Sequence, residues 1–289
     1  MKKMEIHMDG GMLSSAHEVS ARTLGKILTS TQRAVDKTIY NQKHGSLEKY
    51  SQLKAAELHE ADFIVEKFKA GSLIIPLKQK MDNGNDIPSL LKGHLNEYYL
   101  KSKVQFNKEV AQIDLTLKLD TYTSRTRSTL TSNETIEKTK EKENIEYSNY
   151  AITKEFSDLL SIVRAKKCND EAFVEIKFNS DYIMTFRKFE SNNLQEIIAT
   201  TGAGTPLIYE GYVTSLGESK NQQFPFQMKI RRKHSDKEFS VHIRSHADAQ
   251  ECNRFNTRDV LLKFWGSPLI KGNSADPIRG DVFFLNFIG

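Results

Sequence analysis

Residues 224–246 read FPFQMKIRRKHSDKEFSVHIRSH, and no other stretch restricts the fold of this chain so tightly. Apolar and polar residues alternate on both sides of the polar tip His234-Ser235-Asp236-Lys237. That is the pattern of two antiparallel strands joined by a short turn and buried on one face only. A four-residue turn pairs Lys233 with Glu238 and sets a register: Ile230 opposite Val241 and Met228 opposite Ile243 on one face. On the other face Arg231 lies opposite Ser240, Lys229 opposite His242, and Gln227 opposite Arg244. Phe224, Phe226 and Phe239 fall on the apolar face in this register. The opposite face is cationic, with no aromatic ring among its charges.

Three more strand patterns accompany this pair, at residues 207–216, 259–265 with an extension to 270, and 281–288. A helix fits residues 247–254. The order strand, strand, strand, helix, strand, strand is that of an OB-like barrel, with a small SH3-like barrel as the competitor. OB barrels commonly bind oligonucleotides, holding phosphates on Lys and Arg and stacking bases on aromatic rings. The candidate contacts for an anionic partner, nucleic acid among them, are Lys229, Arg231, His242 and Arg244, extended by Arg254 and Arg258. Asp236, Glu238 and Asp248 dilute the patch. The alternative is a solvated face whose charge only keeps the sheet soluble. Phe264, Trp265, Phe283, Phe284 and Phe287 read as barrel core. The run Val282-Phe283-Phe284-Leu285 is apolar on both faces, so its second face is expected to meet the N-terminal domain or a second subunit.

Residues 1–204 read as a mixed α/β domain, so the whole chain is α+β, with the barrel at 205–289. A strand at 4–8 precedes a helix signal, in which Ser15 and Glu18 form a capping box. Val19, Leu24, Ile27, Leu28, Thr31, Val35 and Ile39 then make one apolar stripe that ends at Gly45. A helix over 47–58 and a hairpin of 63–68 with 73–77 about residues 69–72 follow, Pro76 favouring an edge. Pro88 opens a helix that carries Leu90, Leu91, Leu95, Tyr98 and Tyr99. The strict alternation over 113–120 predicts a strand. Residues 121–149 are rich in Thr, Ser, Glu and Lys and read as a polar linker, in which phosphorylation is a minor alternative. Phe156, Leu159, Leu160 and Val163 mark another helix, residues 173–178 and 182–189 two strands about Asn179-Ser180-Asp181, and residues 194–199 a short helix. Thr201-Gly202-Ala203-Gly204 reads as a hinge between domains, since no third glycine or Lys-Ser/Thr pair completes a phosphate loop.

The totals exclude several classes. With 289 residues, 38% apolar and 27% charged, the chain can bury a core, and no apolar run approaches the roughly 20 residues of a membrane helix. No membrane partner is therefore expected. The opening residues lack an apolar run and a cleavage site, which points to the cytoplasm. The two cysteines, Cys168 and Cys252, form no CxxC pair, which removes zinc ribbons and disulfide scaffolds. A net charge of +5 permits an anionic partner without demanding one.

Chemistry is sparse. Glu175-Ile176-Lys177, with Asp158 and Asp170 upstream, matches in residue type the acidic-x-Lys element of restriction-like nucleases, where carboxylates hold a divalent metal. The same alternation is explained by a solvated strand face. His234, His242 and His246 lack ligand spacing and read as surface histidines, and His7 with Asp9 raises the metal idea more faintly. No nucleophile elbow, HExxH or nucleotide-binding glycine loop is present, and no cofactor is implied. The expectation is a non-enzymatic binding protein. A protein-interaction or assembly subunit with a purely structural barrel is the alternative, and a metal-dependent nuclease the third.

The pieces AGSLIIPL, GYVTSLG and LLKFWGSPLI resemble, at the level of layout, a loosely defined set of bacterial proteins with an α/β front portion and a small C-terminal barrel. That resemblance implies a binding or accessory role near mobile elements or phage-defence genes. No catalytic motif accompanies it.

Overall fold

Met4, Ile6 and Met8 point to one side of strand β1 (Lys3–Asp9) and are fully buried, while Lys3, Glu5, His7 and Asp9 point to the other. A strand with one apolar face needs neighbours on both edges and a layer above it. In the computed structural model, which describes residues 3–10, 19–66, 73–80, 86–128, 147–166, 168–179, 182–233, 235–257, 260–272, 274–276 and 279–288, β1 lies at the centre of a five-stranded sheet. Its neighbours are β3 (Leu73–Gln79) and β4 (Phe173–Phe178), both antiparallel, with β2 (Phe63–Val65) outside the first and β5 (Tyr182–Arg187) outside the second. Residues 1–106 and 148–199 make up this unit; residues 107–147 and 200–289 make up a second. The 1–204/205–289 division assigns residues 107–147 to the front portion, whereas spatial proximity groups them with the barrel.

Helix α1 (Ala21–His44) buries Ile27, Thr31, Val35 and Ile39 from the stripe expected for it. Its cap is Ser20, whose Oγ accepts from the Thr23 N–H at 3.1 Å; the expected Ser15–Glu18 box lies outside the described residues. Gly45 closes the helix at φ 72°, a conformation only glycine adopts without strain. Ser20→Ala is expected to cost about 1 kcal/mol, read as a lower urea midpoint in helical circular dichroism.

The helix expected over 47–58 is not formed. Tyr50 sits at φ 71°, and helix α2 (Ala55–Ala61) starts only where Glu57 accepts from the Lys54 N–H at 2.9 Å. Pro76 is likewise not on an edge strand. Its carbonyl accepts from the Glu66 N–H at 2.9 Å, so its missing N–H faces the side where β2 has run out, and pairing with β1 is undisturbed. The turn expected at 69–72 lies outside the described residues, as do Ser180 and Asp181. Helices α3 (Ile87–Ser102), α5 (Tyr147–Leu160) and α6 (Lys188–Ala199) complete the unit; α3 packs against α1, α6 and β4. Helix α6 begins six residues earlier than expected because the Glu190 carboxylate accepts from the Arg187 N–H at 3.0 Å and caps it directly after β5.

In the second unit, residues 113–120 are not a strand but part of helix α4 (Lys108–Ser128). Two residues of helix turn through about 200°, so strict alternation on a helix yields two opposed stripes. Leu115 and Leu119 form one, 4% and 1% exposed; Val110, Ile113 and Leu117 form the other, each about 60% exposed. The expected linker is helical as far as Ser128, and residues 129–146 lie outside the described residues. The hydroxyls of Thr116, Thr121, Thr123 and Ser124 donate to carbonyls one turn back, which lets a Thr-rich segment stay helical.

Strands β7 (Leu207–Glu218), β8 (Phe226–Arg232) and β9 (Glu238–Ile243) form an antiparallel meander. Helix α7 (His246–Asn253) follows, then β10 (Leu261–Lys271), antiparallel to β7, and β11 (Val282–Phe287), antiparallel to β10 and parallel to β9. The five strands close a barrel. Its parallel β9–β11 seam and the helix between third and fourth strands give the OB-like order, a seam that an all-antiparallel barrel lacks. The expected hinge at 201–204 is largely strand β6 (Thr201–Ala203), paired with β10.

The barrel interior holds Met228, Ile230, Val241, Ile243, Leu262 and Phe264, closed at one end by Ala249 and Cys252 of α7. A second cluster lies outside the wall, where Leu115 and Leu119 of α4 pack with Phe224, Phe283 and Leu285. The outward face of β11 therefore meets α4, which lies in the 1–204 portion by sequence but groups with the barrel in space. Phe224 belongs to this outer cluster, which corrects its expected place on the inner face. Among the described residues no helix is long and apolar enough to cross a membrane.

Candidate nucleic-acid interface

The register of β8 on β9 differs from expectation by two residues. Arg231 faces Glu238, Lys229 faces Ser240 and Gln227 faces His242. The Arg232 N–H donates to the Lys237 carbonyl at 3.1 Å, and the Ser235 hydroxyl accepts from the Lys237 N–H at 3.1 Å, so the turn closes one residue earlier on each strand. An even offset preserves sidedness, because side chains alternate with period two. Lys229 and Arg231 therefore remain outside and exposed, but Arg231 gains an acidic neighbour across the ladder.

Strand β7 adds what the hairpin lacks. Tyr212 is the register partner of Arg231, and the guanidinium carbon lies 5.7 Å from its ring centroid. Such a pair presents a stacked, cationic aromatic surface. A bulge between Val213 and Ser215 absorbs one residue, so Tyr212 and Ser215 both share the outer wall, beside Arg231 and Lys229 respectively. Neither Lys229 nor Arg231 makes an ion pair among the described residues, whereas Lys233 lies 3.6 Å from Glu210. The open wall thus carries two cations outside any described ion pair, one ring and the hydroxyls of Ser215 and Ser240.

The other residues of the expected patch are placed differently. His242 is turned against the outer cluster, its side chain 14% exposed, with its ring centroid 6.0 Å from those of both Phe224 and Phe283. Its Nε2 lies 3.7 Å from an Asp281 oxygen, beyond hydrogen-bond distance, and neither ring nitrogen has a hydrogen-bond partner among the described residues. The Arg244 guanidinium donates to the Asp120 carboxylate of α4 at 2.7 Å. Arg254 is the exposed C-cap of α7, and no described hydrogen bond or ion pair joins it to the β8 pair. Arg258 lies outside the described residues, as does His234. Lys229 and Arg231 are brought together, His242 is enclosed by Phe224, Phe283 and Asp281, Arg244 is held by Asp120 of α4, and Arg254 stands apart. Tyr212 was missed in the sequence; its outward alternation with Glu210 is visible there, but its place beside Arg231 depends on the bulge.

The acidic element in the first unit is engaged locally. Glu175 accepts from the Thr185 hydroxyl at 3.2 Å and sits 3.1 Å from His7 Nδ1, while Asp170 lies 3.5 Å from Lys188. Among the described residues no three His, Cys, Asp or Glu side chains converge to hold a metal ion. Both cysteines are free and buried. Burial pushes the Cys252 thiol up to about 12, with the nearby Asp248 and Glu251 carboxylates adding to it. A disulfide-exchange reagent at pH 8 is expected to leave Cys252 unmodified in the native protein and to modify it in urea; rapid native labelling would contradict this placement. No protein-family model, no curated protein and no solved structure matches this chain.

Proposed function

We propose that this is a binding protein whose barrel holds single-stranded nucleic acid on the outer wall of β7–β9, mainly through phosphates and with little base discrimination. The carrying observation is the juxtaposition of Tyr212, Arg231 and Lys229 on the wall that OB-like barrels use for oligonucleotides, both cations being exposed and outside any described ion pair. Lysine and arginine attract the backbone, and a ring beside them offers any base a stacking face. The test is fluorescence anisotropy of the full chain with labelled single- and double-stranded oligonucleotides over a salt series. Affinity that falls as salt rises, and that favours single strands, supports the assignment; no binding to any strand at low salt ends it.

A second reading is favoured by one observation, the exposed stripe Val110, Ile113 and Leu117 on α4. Apolar side chains in a row on a helix suit a protein contact. In an assembly subunit, self-association or partner capture would survive reversal of Lys229 and Arg231 and be lost in Ile113→Ser/Leu117→Ser, as read by light scattering across a concentration series.

A further inference from the structure

OB-like barrels take ligands on the second and third strands and on two loops, that between strands one and two and that between strands four and five. In this chain those loops contribute Phe224, between β7 and β8, and Asp281, between β10 and β11, while β9 contributes His242. Phe224 and Asp281 both meet His242, beside Phe283, and α4 packs on Phe224 and Phe283. The open wall of β7–β9 is therefore one half of a larger surface, and a helix covers the other half.

The covering helix has the chemistry of a ligand. Leu115, Leu119 and Tyr122 lie against the Phe224–Phe283 cluster, where bases would stack. The Asp120 carboxylate takes the Arg244 guanidinium at 2.7 Å, as a phosphate would. The helix also packs on Ala203 of β6 and on Trp265 and Leu269 of β10, while its polar attachment is slight: the Asp120 side chain is 59% exposed, and a 3.3 Å bond joins Gln223 Nε2 to the Thr116 hydroxyl. Polar demand is left unmet beside this cluster, since both His242 ring nitrogens are buried without a hydrogen-bond partner among the described residues, at a free-energy cost that a native core normally avoids. A nucleobase edge, with donors and acceptors, could meet that demand; leucine cannot.

We infer that α4 is an intramolecular stand-in for the ligand, and that Phe224, His242, Phe283 and Arg244 form a second, base-stacking subsite opened when α4 leaves. The inference rests on the nucleic-acid reading of the wall. A single strand that engages Lys229 and Arg231 competes with α4 for the adjoining strip, so occupancy of the full site and release of the helix are linked.

The test uses the full chain with Thr116→Cys and Gln223→Cys joined by a short bis-maleimide, the two native thiols being buried. Controls are the single-cysteine proteins capped with a mono-maleimide. Linking is expected to weaken oligothymidylate binding by about tenfold or more, and Asp120→Asn to tighten it several-fold, because the linkage bars and the substitution eases the competing state. Asp114→Asn, the same charge change elsewhere on α4, should alter affinity by less than about twofold. In hydrogen exchange, α4 amides should open about tenfold or more faster than those of β8 and β9, and the added oligonucleotide should speed them further. A linked protein that binds as tightly as the capped controls, or α4 amides that exchange only together with β8 and β9, overturns the inference while the wall reading stands. Absence of oligonucleotide binding in wild type and in Asp120→Asn alike ends both.

Discussion

Lys229→Glu combined with Arg231→Glu is expected to weaken single-strand binding by about a hundredfold at low salt, because two cations that attract phosphates become two carboxylates that repel them. The two residues are exposed neighbours on the open wall, and neither is committed to an ion pair among the described residues. For a single strand each neutralised phosphate contributes about 0.7 to the slope of log affinity against log salt, so the slope should become shallower by roughly 1.4. Arg231→Glu also places two glutamates opposite each other at Glu238, a like-charge pair that costs up to about 1 kcal/mol. Lys229→Gln/Arg231→Gln separates the two causes: it removes the attraction without adding repulsion, and should still weaken binding about tenfold with an unchanged urea midpoint. Unaltered affinity in both double variants would remove the wall from the binding surface.

Phe264→Ala should be the most damaging single change to the second unit, at about 3–5 kcal/mol. The ring is fully buried, stacked 5.7 Å from Tyr209 and 5.5 Å from Phe284, and lies in the interior cluster with strands β8, β9 and β11 around it. Close-packed walls of a closed barrel collapse only partly into such a void. With a urea dependence of about 1–3 kcal/mol per molar, the midpoint should fall by more than about 1 M. The chain's single tryptophan, Trp265, lies on β10 beside the outer cluster, so its fluorescence follows this unit alone. A midpoint within about 0.3 M of wild type would show that Phe264 does not help hold the barrel closed.

The barrel was legible because each strand and the single helix carry their own local signal. Alternation marks the strands, the Ser245 cap marks α7, and the sequential order alone separates an OB-like arrangement from most alternatives. Helix α4 was not legible, since IDLTLKLD obeys the period of a strand while also giving a helix two apolar sides. Its partners Phe224, Phe283 and Leu285 are more than 90 positions away, and no local pattern reports a contact at that separation. The candidate site shows the same division. The outward placement of Lys229 and Arg231 follows from parity and survives an even register error. The withdrawal of Arg244 from the open patch depends on α4, that of His242 on Phe224 and Phe283 of distant segments, and the addition of Tyr212 on one bulge.

The second unit draws α4 from residues that precede 148–199 of the first, while the strands beneath that helix come after them. During synthesis Leu119 leaves the ribosome some 166 residues before Leu285, which at about 5–20 residues per second is roughly 10–30 s. Throughout that interval the Leu115–Leu119 stripe of α4 lacks the wall it later covers, whereas the first unit completes its own sheet in the meantime. Chain order thus makes α4 the last piece of its unit to dock although it is the first of that unit to emerge, and it makes this helix a natural holding point for a chaperone on the nascent chain.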